Sequence, residues 1–263
     1  MVARKNVTQK YALISVFDKT RLNYLCKNLN NNNFRFISTG TTCKKIKSLG
    51  YNCIEVSKIT NFKEILNGRV KTLNPKIYGS ILYKRDNAEH IKDFRKLKVP
   101  KIDLVVINLY PFKQFLKDKD REKIVEMIDI GGPSLIRASS KNWKYVTIIS
   151  SVKDYDKLIF NLKKNKGFTD IDFRKKMAAK GFALTSSYDK LISEWLNPVK
   201  KKIKNDLRYG ENPNQKSFIL NNNSKTLFDN QISGKKISYN NVIDVDSGLR
   251  CLNEFNEPTC VIL

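Results

Sequence analysis

Arg69, Lys71 and Thr72 put two cations and a hydroxyl within four residues. Gly68 precedes them and Pro75 closes the segment, glycine because it accepts unusual backbone angles and proline because it interrupts regular structure. Such a loop can turn an Arg fork and a Lys ammonium towards an anion while Thr72 donates a hydrogen bond. A solvated basic turn has the same composition, so the loop is weighed with its surroundings. Thr39-Gly40-Thr41-Thr42 opens a helix and offers free N–H groups, hydroxyls and a positive dipole end, the makings of a phosphate seat. Most such turns only cap a helix. Asp129-Ile130-Gly131-Gly132-Pro133 is a third candidate: its glycines free the backbone, and proline suits the first turn of the next helix. Asp129 and Lys141 are either a surface ion pair worth little or partners brought by that turn to one pocket.

The elements that position these residues follow from the apolar pattern. Residues 11–17 form a continuous apolar run, the mark of a buried parallel strand. Asp18-Lys19-Thr20 is read as the turn and cap of a helix carrying Leu22, Leu25, Cys26 and Leu29 at helical spacing. Residues 34–38 and 52–56 are further strands, with a helix between them closed by Gly50. Residues 77–83 are read as a strand, 87–97 as a charged helix and 102–108 as a strand running into Leu109-Tyr110-Pro111. A helix then leads to Asp129, residues 145–149 give a last strand, and 169–196 is a long helical stretch. Alternating strands and helices predict an α/β fold, a three-layer domain on a parallel sheet. Ligands of such sheets collect at the carboxyl ends of the strands, where Ser15, Lys19, Ser38, Asn108 and Tyr110 fall. Pro198 opens a Lys-rich linker over 199–206. The chain stops at Cys260-Val261-Ile262-Leu263, inside an apolar run read as a strand, so the second domain is expected to continue further.

The 263 residues, 41% hydrophobic and 10% aromatic, describe a globular chain. Lys and Arg number 50 against 25 Asp and Glu, which raises nucleic acid as a partner. The cations, however, run from Arg4 to Arg250 and do not cluster with stacking aromatics along one face; anionic small substrates suit the charge equally well. Five cysteines without a C-x-x-C pair and a single His90 argue against a disulfide framework or a metal site. No apolar run reaches the length of a membrane span. A soluble, cytoplasmic protein is expected.

Seven motifs stand in order along the chain: SVFDKT (15–20), STGT (38–41), GRVKTL (68–73), NLYPF (108–112), IDIGG (128–132), KN (141–142) and LRYGENP (207–213). Together they resemble the bifunctional AICAR transformylase/IMP cyclohydrolase family of purine biosynthesis. The resemblance implies that residues 1–198 are a cyclohydrolase domain of methylglyoxal-synthase-like fold. Residues 207–263 would be the opening of an α/β, cytidine-deaminase-like transformylase domain. The implied reaction closes 5-formamidoimidazole-4-carboxamide ribonucleotide to IMP with loss of water, without metal or organic cofactor. Lys71, Tyr110, Asp129 and Lys141 are the implied catalytic set, with Asp129 orienting or deprotonating the carboxamide, Lys141 holding Asp129 ionised, and Lys71 and Tyr110 donating to the formyl oxygen. Ser15, Lys19, Ser38, Gly40, Thr41, Arg69, Thr72, Asn108, Gly131 and Gly132 would hold the ribonucleotide. Arg208, Tyr209, Asn212 and Gln215 would help bind the transformylase substrate, whose cosubstrate is 10-formyltetrahydrofolate. A homodimer is implied, and neither nucleic acid nor a membrane is expected as a partner.

The chain departs from the family at Phe17, where serine is usual, and at Asn74, Tyr78 and Asn214, where histidine is usual. The family's Lys-His pair is expected just beyond Leu263, so this chain is expected not to transfer formyl groups. Two other readings compete: a methylglyoxal-synthase-like lyase or regulatory phosphate-binding domain, and a basic nucleic-acid-binding protein.

Overall fold

The computed structural model describes residues 9–66, 69–116, 118, 120–197, 203–221, 228 and 231–263. The chain divides into two compact units, Met1–Ile192 and Ser193–Leu263. In the first, five parallel strands stand in the order β3-β2-β1-β4-β5: β1 (Lys10–Val16), β2 (Phe34–Ser38), β3 (Cys53–Glu55), β4 (Ile102–Asn108) and β5 (Thr147–Ile149). The three central strands read as continuous apolar runs because helices cover both faces. Ala12, Leu13 and Ile14 of β1 are wholly buried, as are Leu104 to Ile107 of β4. Each such Leu or Ile contributes roughly 1.5–3 kcal/mol relative to exposure.

Strand order reverses at β1: β2 and β3 extend the sheet to one side, β4 and β5 to the other. A crevice at the carboxyl ends therefore opens between β1 and β4, the place where open α/β sheets bind ligands. Asn108 spans it. Its Oδ1 accepts the N–H of Phe17 (2.6 Å) and of Asp18 (2.9 Å), and its Nδ2 donates to the Asp18 carbonyl (2.8 Å). Asn108 thus ties the segment after β1 to the end of β4. Asn108→Ala is expected to cost about 1–2 kcal/mol of stability, read as a fall in Tm; an unchanged Tm would leave those bonds without energetic weight.

Residues 77–83 are not a strand. Helix α4 spans Pro75–Leu82, with the Asn74 side chain accepting the Lys76 N–H (3.0 Å) and proline at the first helical position. Ile77 and Ile81 are buried four residues apart, on one helical face, so the apolar run that suggests a strand is a helix lying on the sheet. Asp18 does not cap the first helix either. It accepts the Thr20 N–H (2.8 Å) in a local turn, and α1 (Leu22–Asn31) begins after Arg21 at φ 59°. Two helices matter for the site: α8 (Gly131–Lys141) and the long α10 (Ile171–Leu196). Gly181 lets α10 approach α8, since a Cβ there would lie 2.4 Å from Ser140 Oγ.

In the second unit β6 (Ile203–Asp206) pairs antiparallel with β7 (Phe218–Asn221), and α11 (Tyr239–Leu252) starts at a capping box of Ser238 and Asn241. Residues 203–206 of the stretch read as linker are thus a strand; 199–202 lie outside the described residues. Residues 260–263 are irregular rather than a strand. Leu263 and Val261 pack against Gly248 of α11, contacts that need no ladder partner.

Candidate active site

The N-terminus of α8 is the centre of the candidate site. Asp129 stands just ahead of it, and Asp129 Oδ1 accepts the Gly132 N–H at 2.9 Å. Behind it, the Asp129 N–H donates to Tyr188 Oη of α10 (2.8 Å), and Tyr188 donates in turn to the Met127 carbonyl (3.3 Å). The carboxylate is therefore held by the helix N-terminus, and the Asp129 backbone by Tyr188. Burial pushes its pKa up from the ordinary carboxylate value, opposed in order by the Gly132 N–H, the Lys71 ammonium and the Gly131 N–H. The burial effect wins, as befits a carboxylate poised to take a proton.

Glycine is required beside it. A Cβ at Gly132 would sit 2.4 Å from Asp129 Oδ2 and 2.7 Å from Leu109 Cδ2; one at Gly131 would sit 3.0 Å from Thr72 Oγ1. Gly132→Ala is expected to displace the carboxylate, at about 1–3 kcal/mol of stability and on the order of 10²-fold in turnover. Turnover within twofold of the unmodified protein would show that the carboxylate's position is not critical.

The basic loop reaches the same place. Ile65 and Val70 form an isolated antiparallel bridge, and the chain then passes Lys71 and the buried Thr72 on its way to Asn74 at the head of α4. Gly68 lies outside the described residues. Lys71 is half-exposed, 3.9 Å from Glu64 in a loose ion pair, and its charge acts on Asp129. Arg69 is engaged on both its Nε and terminal nitrogen by Glu126. An exposed pair of that kind is worth little, so an anionic ligand can displace it.

Tyr110 follows β4, and its ring lies 4.9 Å from that of Phe17, both rings partly exposed at the mouth of the crevice. At the other side, α2 (Gly40–Ser48) begins with Gly40 at φ 42° and has no side-chain cap, so its first N–H groups are open to a ligand. Ser15 Oγ stands 3.5 Å from Thr39 Oγ1, and Lys19 Nζ donates to the Phe17 carbonyl (3.3 Å). Thr41 is exposed beside them. Ser38 is different: it is wholly buried and donates to the Ile14 carbonyl (2.6 Å), locking β2 to β1.

Lys141 is not brought to Asp129. It is the last residue of the 11-residue α8, roughly 15 Å along the axis from Gly131, and among the described residues no ion pair joins the two. The length of α8 separates the two residues. Asn142, next to it, is structural: its Nδ2 donates to the carbonyls of Ile81 (2.6 Å) and Tyr83 (3.1 Å). Two residues near Asp129 escape sequence reasoning. Tyr188 acts from 59 residues away, with no local signal. The Tyr78 hydroxyl is buried and, among the described residues, has no well-aligned hydrogen bond; burial chiefly raises its pKa, opposed by the nearby Ser134 hydroxyl and aided by the Asp129 charge. Among the described residues no group of three His, Cys, Asp or Glu side chains is placed to hold a metal ion, and no helix is long and apolar enough to cross a membrane.

In the second unit, Arg208 and Tyr209 pair with each other (3.0 Å), the guanidinium also lying 4.8 Å from the Tyr209 ring centre. The Asn212 N–H donates to Gln215 Oε1 (3.2 Å), and the Gly210 N–H to the Gln215 carbonyl (2.7 Å). These four residues therefore share one compact turn.

The family model for the AICARFT/IMPCHase bienzyme matches residues 139–263, and that for an MGS-like domain matches residues 21–134. A bifunctional purine biosynthesis protein PurH from Lactobacillus acidophilus is 46% identical over 272 residues, covering 97% of this chain and 53% of that protein. The protein of the same name from Clostridioides difficile is 43% identical over 269 residues, covering 96% and 52%. A solved structure titled "Crystal structure of ForH" superposes with a TM-score of 0.66 at 27% identity, over 72% of this chain and 97% of that one. The chain spans about half the length of the curated relatives it matches. Over nearly its whole length the chain is thus similar to bifunctional purine biosynthesis proteins PurH, with an MGS-like domain matched first and the AICARFT/IMPCHase bienzyme model after it.

Proposed function

We propose that residues 1–198 are an IMP cyclohydrolase domain, joined through 199–206 to transformylase sequence from 207 onwards. The reaction is closure of 5-formamidoimidazole-4-carboxamide ribonucleotide to IMP. The carboxamide nitrogen bonds to the formyl carbon, and the formyl oxygen departs as water, taking up two protons, one from the carboxamide nitrogen and one from the formamide nitrogen. One observation carries the reading: a buried Asp129 carboxylate accepts the Gly132 N–H at the head of a helix, its backbone is held by Tyr188, and the charge of Lys71 acts on it. Asp129 takes the proton from the weakly nucleophilic amide, while Lys71 and Tyr110 donate to the oxygen as it gains charge. Because both reacting groups sit on one molecule, holding it in a near-attack geometry supplies much of the acceleration.

The open N–H groups at Gly40 and Thr41, with Ser15 and Lys19, form the phosphate seat. Thr72, Gly131 and Gly132 bound the ring, and Arg69 exchanges Glu126 for the substrate. Ser38 and Asn108 shape the seat by fixing the strand ends rather than by touching the ligand, and Lys141 stands outside the set. The cyclohydrolase step calls for no cofactor. In the complete bienzyme, 10-formyltetrahydrofolate is the cosubstrate of the transformylase, towards which Arg208, Tyr209, Asn212 and Gln215 contribute. The protein works in the cytoplasm as a homodimer.

The test follows the ultraviolet change as the purified chain meets the formylated ribonucleotide without folate. Rapid IMP formation is the expected result; the absence of both turnover and saturable IMP binding would sink the proposal.

A further inference from the structure

The opposite edge of the sheet holds a second cluster of charge. At the amino ends of β1, β4 and β5, a cavity of about 100 Å3 is lined by Lys10, Arg85, Lys101 and Arg174, with Asp103 and Thr147. Four cations thus meet one carboxylate. Asp103 is already shared: Oδ1 accepts from Arg85 (2.9 Å) and lies 3.2 Å from Lys101 Nζ, while Oδ2 accepts the Tyr11 N–H (3.2 Å).

The other hydrogen bonds of these cations go to neutral groups, with the Asp170 carboxylate acting on Arg174 from nearby. Lys10 is 5% exposed, lies between the Phe34 and Phe168 rings (4.7 and 4.5 Å to their centres) and donates to the Gly167 carbonyl. Arg174 donates to the carbonyls of Thr169 (2.6 Å) and Trp143 (3.1 Å), and Arg85 to that of Ile102 (2.8 Å). Arg85 Nε is buried and, among the described residues, has no hydrogen-bond partner. Carbonyls and ring faces carry only partial charge, and partly buried cations in excess are costly unless an anion compensates them. The cations also feel one another. Burial lowers the pKa of both Lys10 and Arg174; Asp103 opposes this at Lys10 and Asp170 at Arg174, while Lys101 and Arg85 respectively add to it.

We propose that this cleft is a binding site for one small tetrahedral oxyanion of the inorganic phosphate class, separate from the crevice at the carboxyl ends. Its volume is well below the ~300–1,000 Å3 of pockets that take drug-sized ligands, so it admits the ion and not a nucleotide. Guanidinium groups match the oxygen spacing of such an ion, and each charge-assisted bond in a half-buried setting is a strong one. This inference stands whether or not the crevice is a cyclohydrolase site.

Side-chain Nε–H signals of Arg85 and Arg174 in a 15N-labelled protein give a readout confined to the cleft; Arg85→Lys and Arg174→Lys variants assign them. Inorganic phosphate added at constant ionic strength is expected to move both signals saturably, whereas chloride does not. Lys101→Gln, at a partly exposed side chain, is expected to weaken the fitted Kd at least tenfold. A nucleoside monophosphate is expected to leave the signals in place; if it moves them as phosphate does, the restriction to a free ion is overturned. Signals that stay still in phosphate, or move equally in chloride, overturn the site itself.

Discussion

Asp129→Asn is expected to lower ring closure by about 10²–10⁴-fold while the protein stays folded. Asparagine keeps an oxygen able to accept the Gly132 N–H, and it does not disturb the backbone bond to Tyr188. Only the proton acceptor is lost. The pH dependence follows from burial, which raises the folded-state pKa above its unfolded value. A folded carboxyl that holds its proton more tightly than the unfolded one makes the fold lose stability as pH rises from the unfolded pKa through the folded one. Above that window the ionised, buried Asp129 weighs against the fold, and the uncharged asparagine does not. The variant is therefore expected to match or exceed the unmodified protein in Tm at neutral pH, and to lose that advantage in acid. Activity runs the other way. In the unmodified protein kcat/KM should climb with pH along a limb set above the ordinary carboxylate range, and the residual rate of the variant should lack that limb. Turnover within tenfold of the unmodified protein, with the limb intact, would remove Asp129 from the role of base.

The same carboxylate shows what was legible in the sequence. The strands β1, β2 and β4 come out within a residue or two because a strand buried on both faces is a nearly continuous apolar run, broken here by little more than Arg35 and Asp103. Asp129, Gly131 and Gly132 are legible because glycine pairs before a helix mark a backbone that must come close to something, here the carboxylate and Thr72. Helix α4 is misread although its signal is present: Asn74-Pro75 is a cap followed by proline at the first helical position. In the sequence Pro75 reads as the stop of the basic loop rather than as the start of a helix, and the run from Ile77 to Tyr83 has too few polar residues to show its period. Tyr188 and Lys141 fail for reasons of distance. The bond from Asp129 to Tyr188 spans 59 residues, and only the packing of α10 on α8 creates it. The separation of Lys141 from Asp129 depends on α8 running unbroken from Gly131 to Lys141, which the Gly131-Gly132-Pro133 turn does not declare. Asn108 is legible as a residue of the site, but its role in joining two strand ends needs the strand order β1-β4, which is a property of the sheet.

Lys71→Met tests the cation that does act on Asp129. The side chain is half-exposed and its pair with Glu64, at 3.9 Å, is loose, so stability is expected to change by less than about 1 kcal/mol. Turnover is expected to fall by roughly 10²–10³, the cost of losing one donor to a developing oxyanion. A second effect separates Lys71 from a residue that merely holds the loop. Its charge lowers the Asp129 pKa against the larger effect of burial, so removing it should move the acid limb of the pH profile to higher pH. Lys71→Arg keeps the charge and should keep the limb, while losing rate because a planar fork does not replace a compact ammonium. Lys141→Met should leave the limb in place, since that side chain lies at the far end of α8. If the limb moves with Lys141 and not with Lys71, the electrostatic partner of Asp129 has been misassigned. The double variant Lys71→Met, Asp129→Asn should lose less than the product of the single losses, because base and donor serve one transfer of charge across the same ring closure. Strict multiplication of the two losses would mean that they act in separate steps.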